Sequence, residues 1–424
     1  VGVGAEVLTS GNKYTDGGTI YLGEKGITKD IQVSATATKE GTYAIGLDAA
    51  RVVGGDSQDP AGPSKIYVSG DNLTINVNHL ADSNQCAAVG IMAQNNTGDA
   101  TNRSSVMIDT ENTIINVYNP QDSTVGIQAF SQGLVDVNSN IEIHASDVIS
   151  ARGNAIVNIN ADGQHSTKLY GDVDFAYDQP TSGTPVDAQL NINLSGADSV
   201  WVGNSKVTVG SGSATPSDEY LQVSAFKLAI NDEAQWTTDE DSFVNSLSMN
   251  HGIININGDA AQTVNIGTMQ GTGTVNMKTE KSANGFSAGT LNIAGTQEET
   301  SGNQLNINFT GINADDIQDV QRDMNALAGN VKIAQGASVT STARVGEGLI
   351  SGAISAQMNN GAGTDGVNTV TVDNIQQARS TSTMENMKNI AAVNIVAWRQ
   401  EDSTFSQRLG DLRASKEGQG IWAR

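Results

Sequence analysis

The sequence predicts an all-β chain: a right-handed parallel β-helix (solenoid) that ends in an α-helical linker. Three observations predict it. Hydrophobic residues fill 38% of the 424 positions but aromatic ones only 4%, so the core must be built from stacked aliphatic side chains. Charged residues amount to 16%, below the usual quarter, while Asn, Ser, Thr and Gly abound; these suit turns and strand faces better than helices. Short alternating segments recur every ~10–20 residues, which suggests several strands per turn of a repeating coil.

Taken in order, the segments are Leu73-Thr74-Ile75-Asn76-Val77, Thr113-Ile114-Ile115-Asn116-Val117 and Ala155-Ile156-Val157-Asn158-Ile159, then Gln189-Leu190-Asn191-Ile192-Asn193. Later come Ile253-Ile254-Asn255-Ile256-Asn257, Thr263-Val264-Asn265-Ile266 and Thr290-Leu291-Asn292-Ile293. Period-two alternation places the aliphatic residues on one face and Asn or Thr on the other. Coils of roughly 20–25 residues over 1–260 would give a rod about 50–60 Å long, with Asn stacking on Asn at the turns. A β-sandwich array competes, but it would carry clearer paired Asn-Gly hairpin signals.

Two segments leave the β pattern. From Asn313-Ala314-Asp315-Asp316-Ile317 the positions Ile317, Val320, Met324 and Leu327 share one helical face, with acids in the first turn. From about Ser380 to Arg413, the residues Met384, Met387, Ala391, Ile395, Trp398, Phe405, Leu409 and Leu412 follow a second helical stripe, with Arg399, Arg408 and Arg413 beside it. Gly418 and Gly420 close that segment.

The totals bound the function. A formal charge of −23 repels phosphate backbones and anionic membranes, so nucleic acid is excluded as a partner and solubility is the plain reading of the acidity. The single cysteine, Cys86, forbids an intrachain disulfide; it lies in the apolar run Gln85-Cys86-Ala87-Ala88-Val89 and reads as core. Near-absence of cysteine suits a chain that crosses an oxidising periplasm unfolded. No stretch reaches the ~18 apolar residues of a membrane helix. Val1-Gly2-Val3-Gly4 reads as a mature or trimmed N-terminus.

The stretches Trp398-Arg399-Gln400-Glu401, Gln407-Arg408-Leu409-Gly410-Asp411-Leu412-Arg413 and Gly420-Ile421-Trp422-Ala423-Arg424 resemble the junction of type Va autotransporters, where a linker helix meets a twelve-stranded outer-membrane barrel. Upstream, Gly271-Thr272-Gly273-Thr274-Val275-Asn276-Met277 and Gln304-Leu305-Asn306-Ile307-Asn308 resemble the C-terminal cap of pertactin-like passengers. The resemblance implies a passenger over 1–258, an autochaperone-like cap over 259–345, connecting strands over 346–378, a barrel-threading helix over 379–415 and the start of the first barrel strand over 416–424.

It further implies an outer-membrane, cell-surface or extracellular location with a periplasmic transit. Its partners would be its own barrel beyond Arg424, the barrel-assembly machinery, periplasmic chaperones, and protein or glycan ligands on host or bacterial surfaces. Trp398, Arg399, Arg408, Leu409, Gly410, Asp411, Leu412, Arg413, Trp422, Ala423 and Arg424 would form the translocator-linker motif. Family members that cut themselves cyclise an Asn of an Asn-Asn pair; Ser403-Thr404 stands at that place here, so this chain is expected to stay attached or to be released by another protease.

Catalytic patterns are weak. Gly55-Asp56-Ser57-Gln58 approaches the nucleophile loop of serine-protease passengers but lacks the following Gly that opens an oxyanion hole, and reads as a surface loop. His79, His144, His165 and His251 sit in no base or metal motif; His144 and His251 read as ordinary face residues. Asp315-Asp316 fits a first helical turn, and Asp239-Glu240-Asp241 a solvated loop. Asn360-Gly361-Ala362-Gly363-Thr364-Asp365-Gly366 imitates one unit of a Ca²⁺-binding nonapeptide repeat without the tandem copies that share an ion and reads as a turn, Gly210-Ser211-Gly212 lacks a phosphate-loop setting, and Arg152-Gly153-Asn154 misses the integrin tripeptide.

The function expected is therefore an adhesin or cell–cell interaction protein without catalysis, cofactor or metal. A glycan-active β-helix lyase or hydrolase, with carboxylates converging from different coils, is the alternative, and a serine-protease passenger comes last.

Overall fold

The computed structural model describes residues 1–9, 18–53, 62–82, 87–95, 103–177, 188–209, 226–296, 303–312, 316–333, 340–345, 350–359 and 369–380. Among these the chain is almost entirely β. Parallel strands form a sheet of 22 strands, a separate sheet has three, and one helix interrupts the pattern.

The parallel strands pair in three ladders, which the chain visits in a fixed cyclic order. Val3–Thr9 opens the first ladder, Thr19–Leu22 the second and Asp30–Ala37 the third; Tyr43–Val53 then returns to pair with Val3–Thr9. Longer strands cross from one ladder to the next. Lys65–His79 pairs with Thr19–Leu22 through its first half and with Asp30–Ala37 through its second.

Successive passes place like side chains on one another. In the third ladder Val33, Ile75, Ile115, Ile143, Leu169, Trp201, Trp236, Ile254, Val275 and Ile307 form one column in register, every member buried. Its nine spacings span about 43 Å.

The chain distance between rungs is not constant. Asn76 and Asn116 are neighbours 40 residues apart, whereas Asn255 and Asn276 are neighbours 21 apart. A separation of 20–25 residues is therefore met by only some register partners, and seven strand spacings, about 34 Å, lie between Val33 and Ile254.

Asparagines do stack, both on outward strand faces and, through Asn72, Asn112 and Asn140, at the corner between the second and third ladders. Asn112 donates to Asn72 (3.0 Å), Asn116 to Asn76 (3.0 Å), Asn276 to Asn255 (2.8 Å) and Asn308 to Asn276 (2.9 Å). A parallel register puts identical residues about one strand spacing apart, which lets one side-chain amide reach the next. The corner between the second and third ladders is polar and buried: Asn160 accepts from the Ser139 N–H (3.0 Å) and donates to Thr167 (2.8 Å).

Opposite the isoleucine column the first ladder narrows to glycine. A Cβ on Gly46 would stand 2.5 Å from Ile75 Cγ2, and one on Gly90 2.5 Å from Ile115 Cγ2. Here glycine is required by close approach across the core.

The helix Ile317–Gly329 lies where the sequence predicts one and buries Val320, Met324, Leu327 and Ala328. It packs beside Gly285–Ala288, which pairs antiparallel with the end of Thr263–Ser282. Parallel pairing continues unbroken from Ser242–Ile256 to Thr263–Ser282, across position 258. Thr340–Val345, Ile350–Asn359 and Thr369–Ser380 form the antiparallel three-stranded sheet. Arg379 and Ser380, expected to begin the linker helix, instead pair with Ser351 and Ile350, so their backbone belongs to that sheet.

Candidate binding face

The outward residues of the second ladder also align. Tyr21, Tyr67, Met107, Asp136, Asn158, Asn191, Lys227, Ser246 and Thr268 occupy one column over successive rungs. Each is exposed or half-buried, because strand alternation sends Ile66, Val106, Val135, Val157 and Leu190 inward. At its N-terminal end Tyr21 stacks on Tyr67, with centroids 5.1 Å apart and planes 12° apart, and Tyr21 remains 73% exposed.

Farther along, the neighbouring outward column runs Asn193, Ala229, Ser248, Gln270. Two short side chains between two long ones leave a depression of about 340 Å³, also lined by Asn191, Lys227 and Ser246. Its volume lies at the small end of ligand clefts. Asn191 donates to Asn158 (2.7 Å) and Asn193 accepts from Asn231 (3.1 Å), so Asn191 presents its amide oxygen and Asn193 its NH₂. Gln270 donates to Ser248 (3.1 Å). Lys227 and Ser246 make no side-chain hydrogen bond or ion pair among the described residues.

A second cluster sits on the first ladder, where Asp147 and Asp172 are register partners. Arg152 donates to Asp174 (2.7 Å), while Lys206 and the Asn204 N–H (2.8 Å) both bond Asp172. Asp147 is pushed up to about 6, chiefly by burial and then by the charge of Asp174. Its hydrogen bond to Asp172 holds the Lys206 ammonium above its usual value. Two carboxylates are thus neutralised by cations and a third holds its proton toward neutral pH.

His144 lies on the outward face, bonds Glu142 (2.7 Å) and stacks on Tyr170 at 4.7 Å. His79 is buried between Thr42 and the Ala81 N–H. His251 is not an ordinary face residue: its backbone is left-handed (φ 59°) where a long strand turns from the second ladder to the third. Asp239-Glu240-Asp241 is an exposed loop, as expected, and its ends are held by neighbouring strands. Asn204 accepts from the N–H groups of Asp239 and Glu240, and Asp241 accepts from Thr263. Asp316 precedes the helix and pairs with Lys281.

Cys86, Gly55-Asp56-Ser57-Gln58, Gly210-Ser211-Gly212, Asp315, Asn360–Gly366 and Ser403-Thr404 lie outside the described residues, as does the whole motif from Trp398 to Arg424. Among the described residues no three His, Cys, Asp or Glu side chains converge as metal ligands, and no helix is long and apolar enough to cross a membrane. The sequence reading missed the outward column and the Asp147 cluster, because both join residues that only the register brings together. No protein-family model, curated protein or solved structure matches the chain.

Proposed function

We propose that this chain is the passenger of a type Va autotransporter, a right-handed parallel β-helix presented on the surface of a Gram-negative cell as a non-catalytic adhesin or cell–cell interaction protein. The cyclic visiting of three parallel ladders around one buried column supports the solenoid reading. The helix Ile317–Gly329, packed near the last parallel rungs, fits a cap within 259–345. The junction-like residues Trp398–Arg424 support export through a barrel that follows.

The observation that carries the binding reading is the outward second-ladder column, whose side chains repeat at about 4.8 Å and multiply weak contacts along one face. The test is to express the full-length protein, barrel included, in a non-adherent Gram-negative host. Protease-accessible passenger and cell aggregation or coating are expected. A passenger retained inside, or displayed without any association at any ionic strength, would overturn the reading.

The Asp147 cluster favours a second reading, a glycan hydrolase or lyase using Asp147 as proton donor. The engagement of Asp172 by Lys206 and Asn204, and of Asp174 by Arg152, weighs against it. Release of reducing ends from a polysaccharide panel, abolished in Asp147→Asn, would establish the enzyme instead.

A further inference from the structure

We propose that the outward face of the second ladder is a binding track for a linear, uncharged polysaccharide. This rests on the reading of the chain as a non-catalytic surface binder and names its ligand. A hydroxyl-rich polymer needs donors and acceptors, and the stretch of the track around the depression supplies them. Asn191 offers an oxygen, Asn193 an NH₂, Ser246 a hydroxyl, Gln270 an oxygen and Lys227 an ammonium. Ala229 and Ser248 leave the depth for a ring to enter, over about 14 Å between the Asn193 and Gln270 rungs. About 19 Å up the same column from Asn191, Tyr67 carries the exposed Tyr21, an aromatic surface on which the C–H face of a sugar rests.

Other occupants fit less well. A protein partner would seek a buried cluster of large apolar anchors, and between Met107 and Thr268 this column has none. A polyanion would meet Asp136 in mid-column and a chain of net charge −23.

The test uses the purified 424-residue chain on immobilised β-glucan, mannan, xylan and galactan, with polygalacturonate and hyaluronan as acidic probes. Retention by at least one neutral polymer is expected. Ser248→Trp, which fills the depression, should weaken it roughly tenfold or more, about 1.4 kcal/mol. Tyr21→Ala should weaken long chains but not short oligosaccharides, and Asn116→Ala, outward on the third ladder, should leave binding unchanged. Should Ser248→Trp fail to fold by circular dichroism, the pair Asn193→Ala and Gln270→Ala takes its place.

Binding to acidic probes alone, to none of the probes, or equally by the depression variants overturns the track. Aggregation of cells displaying Ser248→Trp is scored in parallel. If it persists while no polysaccharide is bound, the track fails and the adhesin reading stands; if parent and variant both fail to aggregate, the adhesin reading itself falls.

Discussion

Trp201 and Trp236 stand one above the other on consecutive rungs, their rings stacked at 4.9 Å with 8° between planes. Each indole N–H donates to a glycine carbonyl on the preceding rung: Trp201 to Gly171 (3.0 Å) and Trp236 to Gly203 (3.1 Å). Four of the chain's few aromatic side chains gather here, since Phe226 packs beside Trp201 and Phe175 beside Phe226. Trp201→Phe keeps most of the volume but strips the Gly171 oxygen of its donor, and should cost about 1–2 kcal/mol. Trp236→Ala should cost about 3–5 kcal/mol. Urea midpoints at constant m-value check both.

Gly90 faces the isoleucine column with no room for a methyl group, its virtual Cβ lying 2.5 Å from both Ile115 Cγ2 and the Gly126 oxygen. Gly90→Ala should destabilise by about 1–3 kcal/mol through overpacking. Pairing it with Ile115→Ala, which removes the Cγ2 that a valine would keep, should recover only the side-chain part of the loss because the Gly126 oxygen stays in place, read as a double-mutant cycle.

Asp147 sets a pH dependence. Its carboxyl lies at about 6 in the folded chain against 3.8 ordinarily, so the folded state holds more protons and this group's contribution to stability declines as pH rises from about 4 through 6. Asp147→Asn stays neutral throughout. It should match the parent only below about pH 3.5 and exceed it by about 1 kcal/mol at pH 8, the full shift being discounted for solvent around a half-exposed group. Equal urea midpoints at pH 8 would refute the shift.

Asn276 bonds both Asn255 and Asn308, whereas Asn292 bonds Asn265 alone within its own stack. Asn276→Ala should therefore cost more than Asn292→Ala, about 1–2 against about 0.5–1 kcal/mol. Side-by-side chemical denaturation gives the ranking.

Leu327 is fully buried under the one described helix. Leu327→Ala should cost about 2–5 kcal/mol. Hydrogen exchange should show the loss concentrated near Leu291–Ile293 and Val331–Ile333, because rungs communicate through nearest neighbours.

Local structure was legible in the sequence where a single segment determines it. Leu73–Val77 alternates and is a strand; Val320, Met324 and Leu327 share a stripe and face the core. What resisted reading was the pairing of segments. Ala229 meets Ser248 and Lys227 meets Ser246, whereas Asn191 meets Lys227 across a much longer stretch of chain, so no fixed period reveals the depression. The same holds for Asp147 and Asp172, whose shared environment arises only when their strands pair. Asn204 and Gln262 bind the backbone of the Asp239–Asp241 corner from other segments of the chain, contacts that no local pattern announces.

The uneven spacing of rungs has a pattern. Val53 to Lys65, Asn95 to Ser104, Tyr177 to Gln189 and Val209 to Phe226 are all passages from the first ladder to the second, and Ser131 to Gly133 makes that same passage through a single residue. Text can thus be added or deleted at one recurring address while every column stays aligned, since lengthening a loop costs little entropy. Related chains should drift in length there first, and a peptide tag spliced between Asn95 and Ser104 should leave the unfolding midpoint where it was.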